Sequence, residues 1–145
     1  MEIIIKKFNE LTLNELYELL KIRASVFVVE QKCPFQEIDD KDNKAYHIYI
    51  KDKDKIKAYL RVLDRGVYFD EVALSRVLTT ERNKGYSNII IKEGIKVAKE
   101  KFDADKIKVE AQSYTKELYE KFGFKQMSEE YLLDNIPHIE MLLTL

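Results

Sequence analysis

The chain has 145 residues, of which 35% are charged and 46% apolar, with a formal net charge of −1. That is the length of one domain with enough apolar surface for its own core, so a disordered segment is excluded and a single unit over 1–145 is expected. The near-neutral balance without a basic tail excludes an electrostatic footprint for nucleic acid, no apolar run is long enough to span a bilayer, and one cysteine, Cys33, excludes an internal disulfide framework. With no leader-like N-terminus, the cytoplasm is the expected compartment.

Residues 2–8 read as a short strand. Thr12-Leu13-Asn14-Glu15 is a capping box, in which the Thr12 hydroxyl accepts an N–H of the first helical turn and Glu15 reaches back. Leu13, Leu16, Tyr17, Leu20 and Ala24 recur at helical spacing, predicting an amphipathic helix to about Val26. Residues 26–31 either continue it or begin a second short helix. Residues 33–43 are turn-like and acidic, with Pro34, Glu37, Asp39, Asp40 and Asp42. A calcium loop would want a central glycine there, and none is present, so a solvated loop is expected.

Residues 46–50 and 56–63 alternate across a charged turn and predict an antiparallel hairpin. Residues 67–79 carry a third, longer strand signal, and 87–102 predict a helix with Tyr86, Ile90, Gly94, Val97 and Ala98 on one face. Gly94 in mid-helix costs roughly 1 kcal/mol against alanine, which suggests a close helix–sheet contact. A strand over 106–112 follows, with Ile107, Val109 and Ala111 on one side. Then come a short helix over 116–122 stopped by Gly123, a strand opening at Phe124 and a last strand over 137–145. The fold class is α/β (α+β mixed): a mixed, mostly antiparallel sheet of six to seven strands with helices on both faces. A βαβ unit lies in the middle.

The stretch with most chemistry is Arg82-Asn83-Lys84-Gly85-Tyr86-Ser87, between a strand and a helix. A helix's first turn leaves four N–H groups unpartnered at its positive end, and a diphosphate can rest on them. Gly85 allows close backbone approach; Arg82 and Lys84 add charge. The four glycines (66, 85, 94 and 123) fit neither a P-loop nor a dinucleotide fingerprint, so neither an ATPase nor an NAD enzyme is supported.

Arg82-x-x-Gly85-x-Ser87 and, further on, Leu118-Tyr119-x-x-x-Gly123-Phe124 together resemble the two signatures of the GNAT superfamily of acyl-CoA N-acyltransferases. Leu16-Tyr17, Arg23 with Val26-Phe27-Val28-Val29-Glu30-Gln31, Pro34, Asp39, Asp42, His47, Ala111-Gln112 and Ile136-Pro137-His138-Ile139-Glu140-Met141 look like its ElaA-type branch. Ser87 stands where Gly or Ala is usual, and Asn135 where Gly would precede Ile136.

The resemblance implies a GNAT-like fold and transfer of an acetyl group from acetyl-CoA to a small-molecule or protein amine by direct attack in a ternary complex. It implies that pantetheine lies along the main chain of Val77, Leu78 and Thr79, where a backbone N–H polarises the thioester carbonyl. The diphosphate rests near Arg82 and Asn83 on the N–H groups of Lys84, Gly85, Tyr86, Ser87 and Asn88, and Gln112 bonds the pantetheine arm. Tyr119 is the expected general acid, since a phenol holds its proton at neutral pH. Glu30 ranks first among candidate bases, ahead of Glu71, His47 and His138. A zinc site of Cys33, His47 and His138 is rejected for want of ligand spacing. The alternative is a non-catalytic acyl-CoA-binding or regulatory module; an acyl-homoserine-lactone-synthase-like enzyme rests only on Arg23 and Val26-Phe27. Family habit admits a homodimer through the C-terminal strands, and no membrane partner is expected.

Overall fold

The computed structural model describes residues 1–32 and 34–145; Cys33, with the expectations placed on it, lies outside the described residues. Strand β1 (Glu2–Lys7) leads to helix α1 (Leu13–Arg23), whose N-terminus is closed by the expected capping box. Glu15 N donates to Thr12 Oγ1 at 3.1 Å and Thr12 N to Glu15 Oε1 at 2.9 Å. The helix does not stop where α geometry ends. Residues Ala24–Glu30 run on as a π-helical segment, so the 26–31 stretch is a continuation.

The hairpin is β2 (Ala45–Asp52) and β3 (Lys55–Leu63), joined through Lys53 and Asp54, both at positive φ, the arrangement of a tight primed turn. Strand β4 is Val72–Thr79, shorter than the 67–79 signal, because Gly66 N bonds Phe69 O at 2.7 Å and folds 66–69 into a turn. Helix α2 (Tyr86–Phe102), β5 (Lys106–Gln112) and helix α3 (Lys116–Glu120) follow, with Gly123 at φ 96° behind α3. The stretch after Phe124 splits into β6 (Lys125–Gln126) and β7 (Tyr131–Leu133) before β8 (Ile136–Thr144). The extra piece makes eight strands among the described residues, where six to seven were expected. Asp134 and Asn135 connect β7 to β8 with φ of 51° and 64°. Asparagine tolerates that conformation without the missing glycine.

The strands lie in the order β1-β2-β3-β4-β5-β8-β6, with β7 on β8, and every pairing but β4/β5 is antiparallel. Helices cover both faces. On one, Ile90, Ile91, Val97 and Ala98 of α2, with Tyr119 and Phe124, bury against Leu60, Val62, Val72, Leu74, Ile107, Val109, Ile139 and Met141. Gly94 sits at the tightest point: a β-carbon there would lie 3.0 Å from Leu60 and 3.2 Å from Leu74.

On the other face, Leu19, Ile22, Val26 and Phe27 pack on Tyr49, Tyr59 and Leu78. This corrects the helical face assigned to α1, since Leu13 and Tyr17 are 86% and 72% exposed. The inward side carries Glu15 and Arg23, which a count of apolar residues turns outward. Their charges are met: Glu15 by Lys6 at 2.9 Å and by the Tyr49 hydroxyl, Arg23 by two buried carboxylates described below.

Candidate active site

The central pair of strands separates. Parallel pairing of β4 and β5 runs from Val72/Ile107 to Leu74/Val109 and goes no further. On its other side β4 pairs Ser75 with Arg61 and Leu78 with Tyr59, so the single residue Leu60 faces both Arg76 and Val77. This is a β-bulge, which bends the strand and leaves backbone groups outside the ladder. Its first residue, Arg76, has φ 55°, a conformation disfavoured by about 1–2 kcal/mol for a non-glycine residue.

The strained residue is held by an ion-pair network. Arg76 Nε lies 3.1 Å from Glu37 Oε1, its Nη2 donates to Glu37 O at 2.8 Å, and the guanidinium lies over the Phe35 ring. Glu37 in turn accepts from Arg23 Nε at 2.7 Å. Asp42 accepts from Arg23 Nη1 at 2.7 Å and from Arg61 Nη1 at 2.9 Å, while Arg61 reaches Asp39 at 2.5–2.8 Å and Ser75 Oγ at 2.7 Å. Arg61 is 0% exposed and Arg23 1%. Three guanidiniums thus meet three carboxylates.

Burial alone would raise the pKa of Asp39, but its bonds to Arg61 and the charges of Arg61 and Arg76 outweigh that and bring it to about 2. Asp42 moves the same way: burial opposes, and Arg23 and Arg61 prevail. The expected solvated loop is therefore overturned. The carboxylates of Glu37, Asp39 and Asp42 are engaged by arginines, and they tie residues 34–44 to the bulge.

The split opens into a cavity of about 700 Å³ that reaches from the start of α2 to the β7–β8 turn. Of the residues picked out in the sequence, Val77, Leu78, Thr79, Arg82, Asn83, Ser87, Gln112, Tyr119 and Glu30 border it. Lys84, Gly85, Tyr86 and Asn88 do not line its wall. Gly85 instead caps α2 at φ 78°, with no side chain among the described residues bonded to the open N–H groups and no acidic residue in the first turn. The Tyr86 hydroxyl donates to Asp52 at 3.2 Å. Ile89 N to Gly85 O, at 3.3 Å, is the helix's opening bond, so the N–H groups of Tyr86, Ser87 and Asn88 precede the ladder. An uncapped positive helix end beside Arg82, with no acidic residue in its first turn, fits a diphosphate.

Tyr119 projects from α3 into the cavity's inner wall, edge-on to Phe124 at 5.6 Å. Burial pushes its phenol pKa up, and nearby Tyr114 adds to this. No group among the described residues bonds its hydroxyl. Gln112 Nε2 lies 3.2 Å from Gln31 Oε1, which links β5 to the residue that ends the π-helical segment.

The candidate bases part company. Glu30 is exposed at the mouth, where this cavity meets a second of about 600 Å³ between α1 and the β2–β3 turn. Glu71 lies 4.0 Å from Lys108. His47 is buried with both ring nitrogens engaged, Nδ1 with the Tyr59 hydroxyl at 2.7 Å and Nε2 with Asp42 O at 2.9 Å, and burial lowers its pKa. It is a structural histidine and lies outside the cavity. His138 borders the cavity, its Nδ1 2.7 Å from Ile136 O. The two histidines stand on strands four steps apart, about 19 Å, too far to share a metal.

Phe35, Tyr68, Glu110 and Asp134 also line the cavity and were missed in the sequence. Glu110 accepts from the Tyr131 hydroxyl at 2.6 Å and from that of Tyr68. The alternation that turns Ile107, Val109 and Ala111 inward already put Glu110 on the opposite face with Gln112. Nothing local marked Tyr68 or Tyr131 as its partners.

Residues 14–145 match the family model described as an acetyltransferase (GNAT) domain. A UPF0039 protein of Schizosaccharomyces pombe is 36% identical, covering 100% of this chain and 98% of that protein. ElaA of Escherichia coli is 33% identical over 92% of this chain and 90% of its own, and its crystal structure superposes with a TM-score of 0.91. An acyl-CoA N-acyltransferase from Pseudomonas aeruginosa, 34% identical, gives a TM-score of 0.91 over 99% of this chain and 100% of that one.

Proposed function

Because this chain belongs to the GNAT acetyltransferase family, we propose that it transfers an acetyl group from acetyl-CoA to a primary amine by direct attack within a ternary complex. The observation that carries the reading is the split between β4 and β5, with an uncapped helix end at one side and the Tyr119 phenol within.

In this reading the N–H groups at the start of α2 and the Arg82 guanidinium hold the diphosphate. The bulged backbone of β4 at Val77, Leu78 and Thr79 runs beside the pantetheine arm, and an N–H there stabilises the oxyanion. Gln112, steadied by Gln31, faces the arm from the other lip. Tyr119 gives its proton to the departing thiolate; its raised pKa keeps it protonated across the neutral range. Glu30 offers its exposed carboxylate to the incoming ammonium at the mouth.

Incubation with isotope-labelled acetyl-CoA and pools of amines tests this. A labelled amide appearing together with one equivalent of free CoA thiol is the expected result. Binding of CoA without thiol release from any amine would leave only an acyl-CoA-binding module, and absence of binding at millimolar CoA would refute the site itself.

A further inference from the structure

We propose that His138 is the base that takes the proton from the acceptor's ammonium group, from the face of the sheet opposite Tyr119. This rests on the acyl-transfer reading above. Along β8, Ile139, Met141 and Leu143 point into the core beneath α2, so His138 looks to the other side, where Gln112 stands opposite it in the β5 register. The thioester and the amine would thus be served from two faces of one split.

The bonding of the ring sets its tautomer. A carbonyl oxygen can only accept, so the 2.7 Å contact with Ile136 O assigns the proton to Nδ1, and the neutral ring carries its lone pair on Nε2. No described residue bonds Nε2, although His138 is only 8% exposed and borders the cavity. The ring plane is set by Tyr131, which stacks on it at 6.4 Å and 27° and is anchored through its hydroxyl to Glu110 at 2.6 Å. Of the four bases the sequence offered, His47 has both nitrogens engaged, Glu71 lies beside Lys108, and Glu30 is exposed at the mouth. His138 alone among them combines burial, a fixed ring and an unengaged acceptor within the cavity.

The step balances. The ammonium gives one proton to Nε2, and the neutral amine's lone pair forms the C–N bond. Collapse breaks the C–S bond, and Tyr119 protonates the thiolate. The second amine proton restores Tyr119, and the imidazolium releases its own to solvent. The titratable and charged groups nearest His138 are Tyr131, opposite it on β7, Glu110 on the same face of β5, and Glu140, two residues on along β8 and 3.0 Å from Lys108; Asp134 and Tyr114 border the same cavity.

Long-range proton–nitrogen NMR on the full chain labelled in histidine reads the tautomer directly; Nε2 unprotonated in the neutral ring is expected, and Nε2–H overturns the proposal. In kinetics with methylamine as the probe acceptor, His138→Gln should lower kcat/KM about 100-fold or more and remove the acid limb of its pH profile. Coenzyme A affinity should stay within about twofold, and added imidazole should restore part of the activity of His138→Ala. His138→Gln retaining activity within about threefold and an unchanged pH profile overturns the proposal. Absence of thiol release by the wild type with methylamine and with every amine of the pools would instead refute the acyl-transfer reading on which it rests. If a variant fails to fold, the NMR result on the wild type decides.

Discussion

Removing one negative charge from the buried network probes the architecture most directly. Asp42→Asn keeps the side chain's shape, but the three guanidiniums of Arg23, Arg61 and Arg76 then face only Glu37 and Asp39, so the network's formal charge moves from 3 − 3 = 0 to 3 − 2 = +1. The new amide can accept through Oδ1 but points donors where Oδ2 accepted from Arg23 Nη2 at 3.2 Å. With Arg23 and Arg61 almost wholly out of solvent, breaking such a pair from one side costs about 3–5 kcal/mol. For a chain of this length that is a fall in Tm of about 10–15 °C. Urea unfolding is the assay, and the slope against denaturant should stay unchanged while the midpoint falls. A loss under about 1 kcal/mol would refute the reasoning, because the guanidiniums would then have found water or a rearranged partner.

Four further outcomes are expected. The lowered pKa of Asp39 (from 3.8 to about 2) stabilises the fold above the unfolded value by about 2 kcal/mol, and this is lost as pH falls from about 4 through 2; acid unfolding of Asp39→Asn should lack that component. Tyr119→Phe should lower turnover about tenfold or more near neutral pH with coenzyme A affinity little changed, and unaltered turnover would remove the acid role. Ser87→Glu puts a negative charge at the uncapped end of α2, so coenzyme A affinity by calorimetry should fall about tenfold or more while stability holds or rises by a few tenths of a kcal/mol. Gly94→Val drives extra methyl groups into Leu60 and Leu74, already 3.0–3.2 Å from a β-carbon, and chemical denaturation should show a loss of about 2 kcal/mol; a neutral result would mean that the helix lifts freely off the sheet.

Local order was written in the chain. The capping box at Thr12, the one-sided alternation of β5 and the strand–Gly85–helix turn each depend on neighbours within a few residues, and each formed where expected. Gly94 announced its close contact because a mid-helix glycine has a local cost that something must offset.

What the sequence left open was the partner of each charge and the direction of each face. The acidic stretch 37–42 reads as solvated until the fold brings Arg23, Arg61 and Arg76 to it from three separate elements. The same ion pairs turn α1, so that Leu13 and Tyr17 face water although apolar spacing assigned them inward. His47 and His138 are alike as letters. The pairing of β2 with β3 brings the Tyr59 hydroxyl to one ring nitrogen of His47, whereas the pairing of β8 with β5 sets His138 opposite Gln112 at the border of the cavity. Periodicity is carried by the covalent chain, whereas Coulomb pairing and register depend on distances between residues 14 to 39 positions apart, and those exist only once the sheet has closed around them.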